Sequence, residues 1–281
     1  MTDAAADGSV AERELGYLLA LARAAAGALI FALPLFMTQE MWELGAGLDR
    51  YRMALFLVLA VPLLTGLNWY AGFRDEVGWT DALVDAFASY AVGFLVSVLC
   101  LLMLGVLELT TLSLSDIGTV AIQAVPSAFG AALAQSQLQA TSEDCKDRRN
   151  RTSYWGELFL MMAGALFIAF NIAPTEEVQR LTYGLEGWQF PVIVLVTLLV
   201  MHAFVYGVDF SGQETRPEHR SFMSEVVLYT VTGYVLSLLI CLYILWTLGR
   251  LDGQGALPLL QMLVVLGFPA AIGAAAARLI L

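Results

Sequence analysis

The chain has 281 residues, 59% of them hydrophobic and only 14% charged, with a mean hydropathy of +0.74. A water-soluble domain of this length needs far more polar surface to cover its core, so the bilayer is the natural solvent. There only helices or closed barrels satisfy their backbone polar groups, and the formal charge of −11 argues against nucleic acid as a partner.

Residues 1–22 read as an N-terminal tail and lead-in. Asp3, Asp7, Glu12 and Glu14 outweigh Arg13, and no short basic segment precedes the first apolar run, so no cleavable signal is expected. Residues 1–10 are expected to be a mobile tail, and Glu12–Arg23 an amphipathic stretch along the membrane surface.

Continuous apolar runs of about 20 residues then select helices over the ten-residue alternation of a barrel. Eight spans are predicted: Arg23–Trp42, Met53–Phe73, Ala82–Leu107, Ile117–Leu138, Tyr154–Ala173, Phe190–Phe210, Phe222–Leu248 and Leu257–Leu281. The fourth carries Thr119, Gln123, Pro126 and Ser127, polar enough that a re-entrant segment is the alternative. Thr119, Gln123 and Ser127 recur every four residues, a stripe that must face protein or water.

Orientation follows from Lys and Arg. With a cytoplasmic N-terminus, the inner segments hold ten of these residues, including the Lys146–Arg151 cluster, and the outer loops hold only Arg50, Arg52, Arg180 and Arg250. Both termini are therefore expected inside.

Self-comparison reveals a duplication. At an offset of 137, Ala26-Gly27-Ala28-Leu29 matches Ala163-Gly164-Ala165-Leu166, and Thr38 and Glu40 match Thr175 and Glu177. At 140, Asp85, Gly93 and Ser97 meet Glu225, Gly233 and Ser237. At 143, Pro126, Gly130 and Ala131 meet Pro269, Gly273 and Ala274. The expected architecture is an all-α polytopic membrane protein of about eight helices, built as two parallel four-helix repeats over residues 23–140 and 153–281, joined by a basic cytoplasmic linker at 141–152. The fourth span gains support from its long apolar partner.

No catalytic motif occurs, and no enzyme activity, metal or cofactor is expected. The candidate chemistry lies where the first helix of each repeat ends, at Pro34 in the first copy and at Asn171 and Pro174 in the second. Proline removes a donor and frees a carbonyl. Thr38, Glu40 and Glu43, and Thr175, Glu176 and Glu177, follow directly, so oxygen ligands for a cation gather near the outer boundary. The plainer alternative has these carboxylates ending helices in the headgroup zone, with Trp42 as anchor. Asp85 and Glu225, near the inner ends, either complement the helix dipole or pass ions onward, with Arg23 as a partner. His202, within the sixth span, is a pathway candidate, although a hydrogen bond to a neighbouring helix is the commoner use. Gly93, Gly233, Gly130 and Gly273 are expected to permit close helix packing.

The run from Pro34 to Trp42 resembles the signature of a family of bacterial integral membrane proteins of uncharacterised function, which reads Pro-Leu-x-x-Thr-x-Glu-Met-Trp near the first span. Pro34, Leu35, Thr38, Glu40, Met41 and Trp42 carry it, and at the open position between Thr38 and Glu40 this chain has Gln39 where Met is expected. The resemblance implies a bacterial inner-membrane protein and supplies no activity or site residues.

The function expected is a cation channel or transporter, its path lined by Glu40, Glu177, Thr38, Thr175, Asp85, Glu225 and Gln123 at the repeat interface or at the axis of a homo-oligomer. The alternative is a membrane assembly or sensory subunit that transports nothing. The partners expected are the lipid bilayer and a small cation, and the sequence does not name the ion.

Overall fold

The computed structural model describes residues 2–71, 78–110, 113–139, 154–206 and 226–280. In chain order the helices are α1 (Thr2–Phe36), α2 (Gln39–Gly47), α3 (Arg50–Ala71), α4 (Trp79–Met103), α5 (Leu114–Gln139), α6 (Tyr154–Ile172), α7 (Glu177–Gly184), α8 (Gln189–Tyr206), α9 (Thr232–Thr247) and α10 (Ala256–Ile280), with a π-helical turn over Val226–Val231 leading into α9. No strand occurs among the described residues.

Among the described residues, seven helical stretches are long and apolar enough to cross a bilayer: Leu15–Phe36, Arg50–Trp69, Trp79–Met103, Leu114–Ala134, Tyr154–Ile172, Tyr229–Thr247 and Ala256–Arg278. The sixth expected span appears as the shorter apolar helix α8, and its last positions, 207–210, lie outside the described residues. The expected linker, 141–152, lies outside them too. α1 runs unbroken from Thr2, so no backbone break separates the expected lead-in from the span. Ala, Leu, Glu and Arg fill that stretch and all favour helix.

The fourth expected span is a full helix, α5, and 78% of its membrane window is buried, the largest share of the seven. Its polar stripe therefore faces protein. Thr119, Gln123 and Ser127 are all buried, and the Ser127 hydroxyl sits 3.1 Å from that of Ser97 on α4.

α5 is the hub of the first half, touching α1, α2, α3 and α4, and α10 touches α6, α7, α8 and α9 in the second. Small residues set the closest crossings. A Cβ built on Gly27 of α1 would lie 2.5 Å from the Gly130 carbonyl oxygen of α5, and one on Gly130 would lie 2.6 Å from that of Gly27. On the other side a Cβ on Gly273 of α10 would lie 2.6 Å from the Gly164 carbonyl oxygen of α6. These are backbone contacts, so only glycine fits. Gly93 likewise lies against the α5 backbone, 2.5 Å from the Ala128 nitrogen by the same measure, whereas Gly233 faces the thioether ends of Met161 and Met201. α4 and α9 also end alike: Gly105 and Gly249 have φ of 72° and 70°, and the N–H groups of Val106 and Arg250 each return to the carbonyl five residues earlier.

Contacts between the halves run from α1, α3 and α5 to α6, and from α3 to α9. Phe56 meets Phe170 edge-on with ring centroids 5.4 Å apart, and Phe31 meets Phe167 at 4.6 Å. An exact two-fold axis would require α1 to pack on α8 as α6 packs on α3. That reciprocal contact is not among the substantial helix contacts of the described residues.

Candidate cation site at the ends of α1 and α6

α1 continues two residues past Pro34 and stops at Phe36. The carbonyls of a last helical turn lack intrahelical donors, and here the chain supplies them. The Thr38 hydroxyl donates to the Pro34 carbonyl at 2.6 Å, and the Trp42 indole N–H donates to that of Phe36 at 2.8 Å. α6 ends by the same logic with other residues. Asn171, at the position equivalent to Pro34, lies inside the last turn and donates its amide to the Phe167 carbonyl at 2.9 Å. The Thr175 hydroxyl donates to the Ile172 carbonyl at 2.8 Å, and the Arg250 guanidinium donates to the carbonyl of Pro174, which lies in the turn after the helix. Both threonine hydroxyls thus help to end their helices.

The short helix α2 then lies across α5, which it meets through Gly45 and Gly118. Met41 and Gly45 are buried on that side, and the Thr119 hydroxyl donates to the Trp42 carbonyl at 3.1 Å. Glu40, Glu43, Leu44 and Gly47 face the other way, into an open cleft of about 540 Å³. Leu48 and Asp49 from the α2–α3 turn, Arg52 of α3, Glu176 from the α6–α7 turn, and Leu248, Gly249, Arg250 and Asp252 from the α9–α10 turn complete its lining. Carboxylates from both halves therefore share one cleft at one end of the bundle.

Five carboxylates, Glu40, Glu43, Asp49, Glu176 and Asp252, stand against Arg52 and Arg250, which leaves a formal charge of −3. Arg52 makes two 2.9 Å hydrogen bonds to Asp252, donates to the Trp246 carbonyl at 3.0 Å, and stands 5.1 Å from the Trp246 ring centroid. The guanidinium holds the Asp252 carboxyl below the usual range. Asp49 caps α3 through the N–H groups of Tyr51 and Arg52 at 3.0 and 3.1 Å. Glu43 accepts from Gln39 at 2.7 Å, and Glu176 from Arg180 at 2.8 Å. Glu40 is half-buried and makes no hydrogen bond or ion pair among the described residues. A carboxylate so placed, among others of its sign, is stabilised by a cation.

Not every expected site residue comes to this cleft. Glu177 is the first residue of α7, next to the lining but outside it and exposed. Its own N–H at the helix start, with the Thr175 hydroxyl beside it, keeps its carboxyl below the usual range. Asp85 is half-buried near the opposite end, on α4, while its expected partner Glu225 lies outside the described residues and Arg23 is exposed. At that end Arg278 instead pairs with Glu157 at 2.9 Å and stands 4.0 Å from the Tyr229 ring centroid. The His202 Nδ1 lies 3.2 Å from the Thr230 hydroxyl of the π-helical turn, a link to the neighbouring helix. Gln123 is enclosed within the first half and does not line the cleft.

Sequence reading missed Asp49, Arg52, Arg250 and Asp252. They come from turns far apart along the chain, and their loops met only through helix packing. The weak signal was Gly249 and Gly253, whose φ values of 70° and 74° make the tight α9–α10 turn that carries Arg250 and Asp252.

No curated protein and no solved structure matches the chain. A family model described as "Putative integral membrane protein (DUF2391)" matches residues 20–281, from within α1 to the end of α10, and the chain belongs to that family of integral membrane proteins.

Proposed function

We propose that the chain is a cation channel or transporter, and that the cleft at the ends of α1 and α6 is where the ion is first held. The observation that carries this reading is the convergence of Glu40 and Glu43 from one half and Glu176 from the other on one lining with a formal charge of −3. Glu40 is the central ligand, being half-buried and without a protein partner among the described residues. Glu43 and Glu176 add field and ligands, and Arg52 and Arg250 tie the walls together. Clefts of one sign with low-dielectric walls concentrate counter-ions. Asp85 and Glu225 would serve the opposite mouth.

The same proposal includes eight spans in two parallel four-helix repeats, in a bacterial inner membrane with both termini cytoplasmic. The paired Gly27–Gly130 and Gly164–Gly273 crossings and the like ends of α4 and α9 support the repeat. The common cleft supports its parallel sense, since inverted units would put these helix ends on opposite faces. The repeats meet by an unequal joint rather than an exact two-fold.

The test is ion flux into liposomes. Wild type is expected to pass monovalent or divalent cations over anions, and Glu40→Gln/Glu43→Gln/Glu176→Gln to lose most of the flux. Unchanged flux and selectivity in the triple variant, with the protein folded, would remove the cleft from any pathway.

A further inference from the structure

Gln123 of α5 is wholly buried, and neither its amide nitrogen nor its amide oxygen has a hydrogen-bond partner among the described residues. Buried amides in native proteins are almost always bonded, because a bare one forfeits its hydration without return. Along the same stripe, one turn to each side, lie the hydroxyls of Thr119 and Ser127, and Ser127 meets Ser97 of α4 at 3.1 Å.

The other half of the chain supplies an internal control. At the offset that aligns α5 with α10, Thr119, Gln123 and Ser127 correspond to Met262, Leu266 and Ala270, each with 0% relative exposure. The same positions on the same kind of hub helix thus pack with apolar side chains, and nothing in the architecture requires an amide there. What distinguishes the first half is a neutral polar stripe inside its own helices, separate from the cleft. Its outer end lies under α2, where Thr119 bonds to the Trp42 carbonyl at 3.1 Å.

We propose that this stripe is a binding site for water, with at least one molecule held between the Nε2 and Oε1 atoms of Gln123 and the neighbouring hydroxyls. The chemistry selects the ligand. The amide offers two donors and an acceptor side by side, and the stripe carries no ionisable side chain. Water is the small species that accepts from the nitrogen while donating to the oxygen. A bare cation would meet the amide protons, and an anion the carbonyl dipole. The proposal is independent of the cation reading: a non-transporting protein would hold the same water.

A high-resolution structure of the full chain in lipid nanodiscs tests it, with thermal unfolding of Gln123→Leu, the residue its counterpart carries, as the second measurement. Expected is discrete density at about 3 Å from both amide atoms, with a melting temperature for Gln123→Leu that is unchanged or lower. Three results would overturn it: the amide bonded directly to protein groups, a species touching oxygen atoms alone at about 2.4 Å as a metal ion does, or a clear rise in melting temperature. The last would mean that the amide is bare and dry in the wild type. If the variant fails to fold, the density in the wild-type protein decides.

Discussion

The crossing of α1 and α5 at Gly27 and Gly130 offers the sharpest test of the packing. A methyl group at Gly130 would lie 2.6 Å from the Gly27 carbonyl oxygen and equally close to the Phe31 Cβ. Ordinary contact needs more than 3.4 Å, so the helices must separate by close to an ångström or bend. Neither neighbour is the free end of a flexible side chain. Overpacking of this kind costs about 1–3 kcal/mol, against a gain of about 0.5–1 kcal/mol from replacing glycine in a helix. Gly130→Ala should therefore destabilise by about 1 kcal/mol net, the difference of the mid-range values, and Gly130→Leu by more. Gly273→Ala should behave alike, because the Gly164 carbonyl oxygen is its neighbour at 2.6 Å. Gly16 and Gly47 are controls, since a Cβ there meets nothing within 4 Å, and their alanine variants should be neutral or slightly stabilising. Thermal unfolding in one detergent, on matched preparations, measures all of these. Gly130→Ala as stable as Gly16→Ala would refute the crossing.

Other expectations follow from the ion pairs and caps. Asp252→Asn removes the link from the start of α3 to the α9–α10 turn and should lower the melting temperature slightly. In the wild type the carboxyl is depressed in the folded state, so its contribution is present above the unfolded aspartate pKa of about 4 and is lost as pH falls through the folded value. A melting profile from pH 7 down to 3 should accordingly be flatter for Asp252→Asn. Arg278→Gln leaves Glu157 without its guanidinium at a pair 20% and 26% exposed, and should cost about 1–3 kcal/mol, between the surface-pair and fully buried values; denaturant titration checks this. Trp42→Phe frees the Phe36 carbonyl and should cost about 1–2 kcal/mol. Raising salt should weaken cation selectivity, since exposed charges are screened within about 10 Å at 0.1 M, and a salt-independent selectivity would count against the cleft.

Much of the fold was legible because the bilayer imposes long apolar helices, and because the matching segments of the two halves follow one another in order along the chain. Gly27 and Gly130 stood out beside Gly164 and Gly273, and the structure places each pair in contact. The polar stripe of α5 called for either protein or water beside it, and the burial of the helix shows that it is enclosed by protein. What sequence periodicity could not give was which loops meet. Arg52 looked like one more outer-loop charge, yet it crosses to Asp252, 200 residues away. Nor could the alignment choose between neighbours: Glu177 is the formal match of Glu40, but the turn after α6 sends Glu176 into the cleft and leaves Glu177 to start α7. The unequal joint between the halves was also invisible, because similar helices carry no record of which of their faces meet.

Accessibility of single cysteines most directly tests whether the two halves bring their acids to one face. In a background with Cys145→Ser, Glu40→Cys and Glu176→Cys would each be treated with a membrane-impermeant maleimide, applied from one side of sealed vesicles at a time. Labelling of both positions from the same side, and of neither from the other, is the predicted result. Labelling from opposite sides would contradict the shared cleft, and with it the parallel repeats and the cation site built on them.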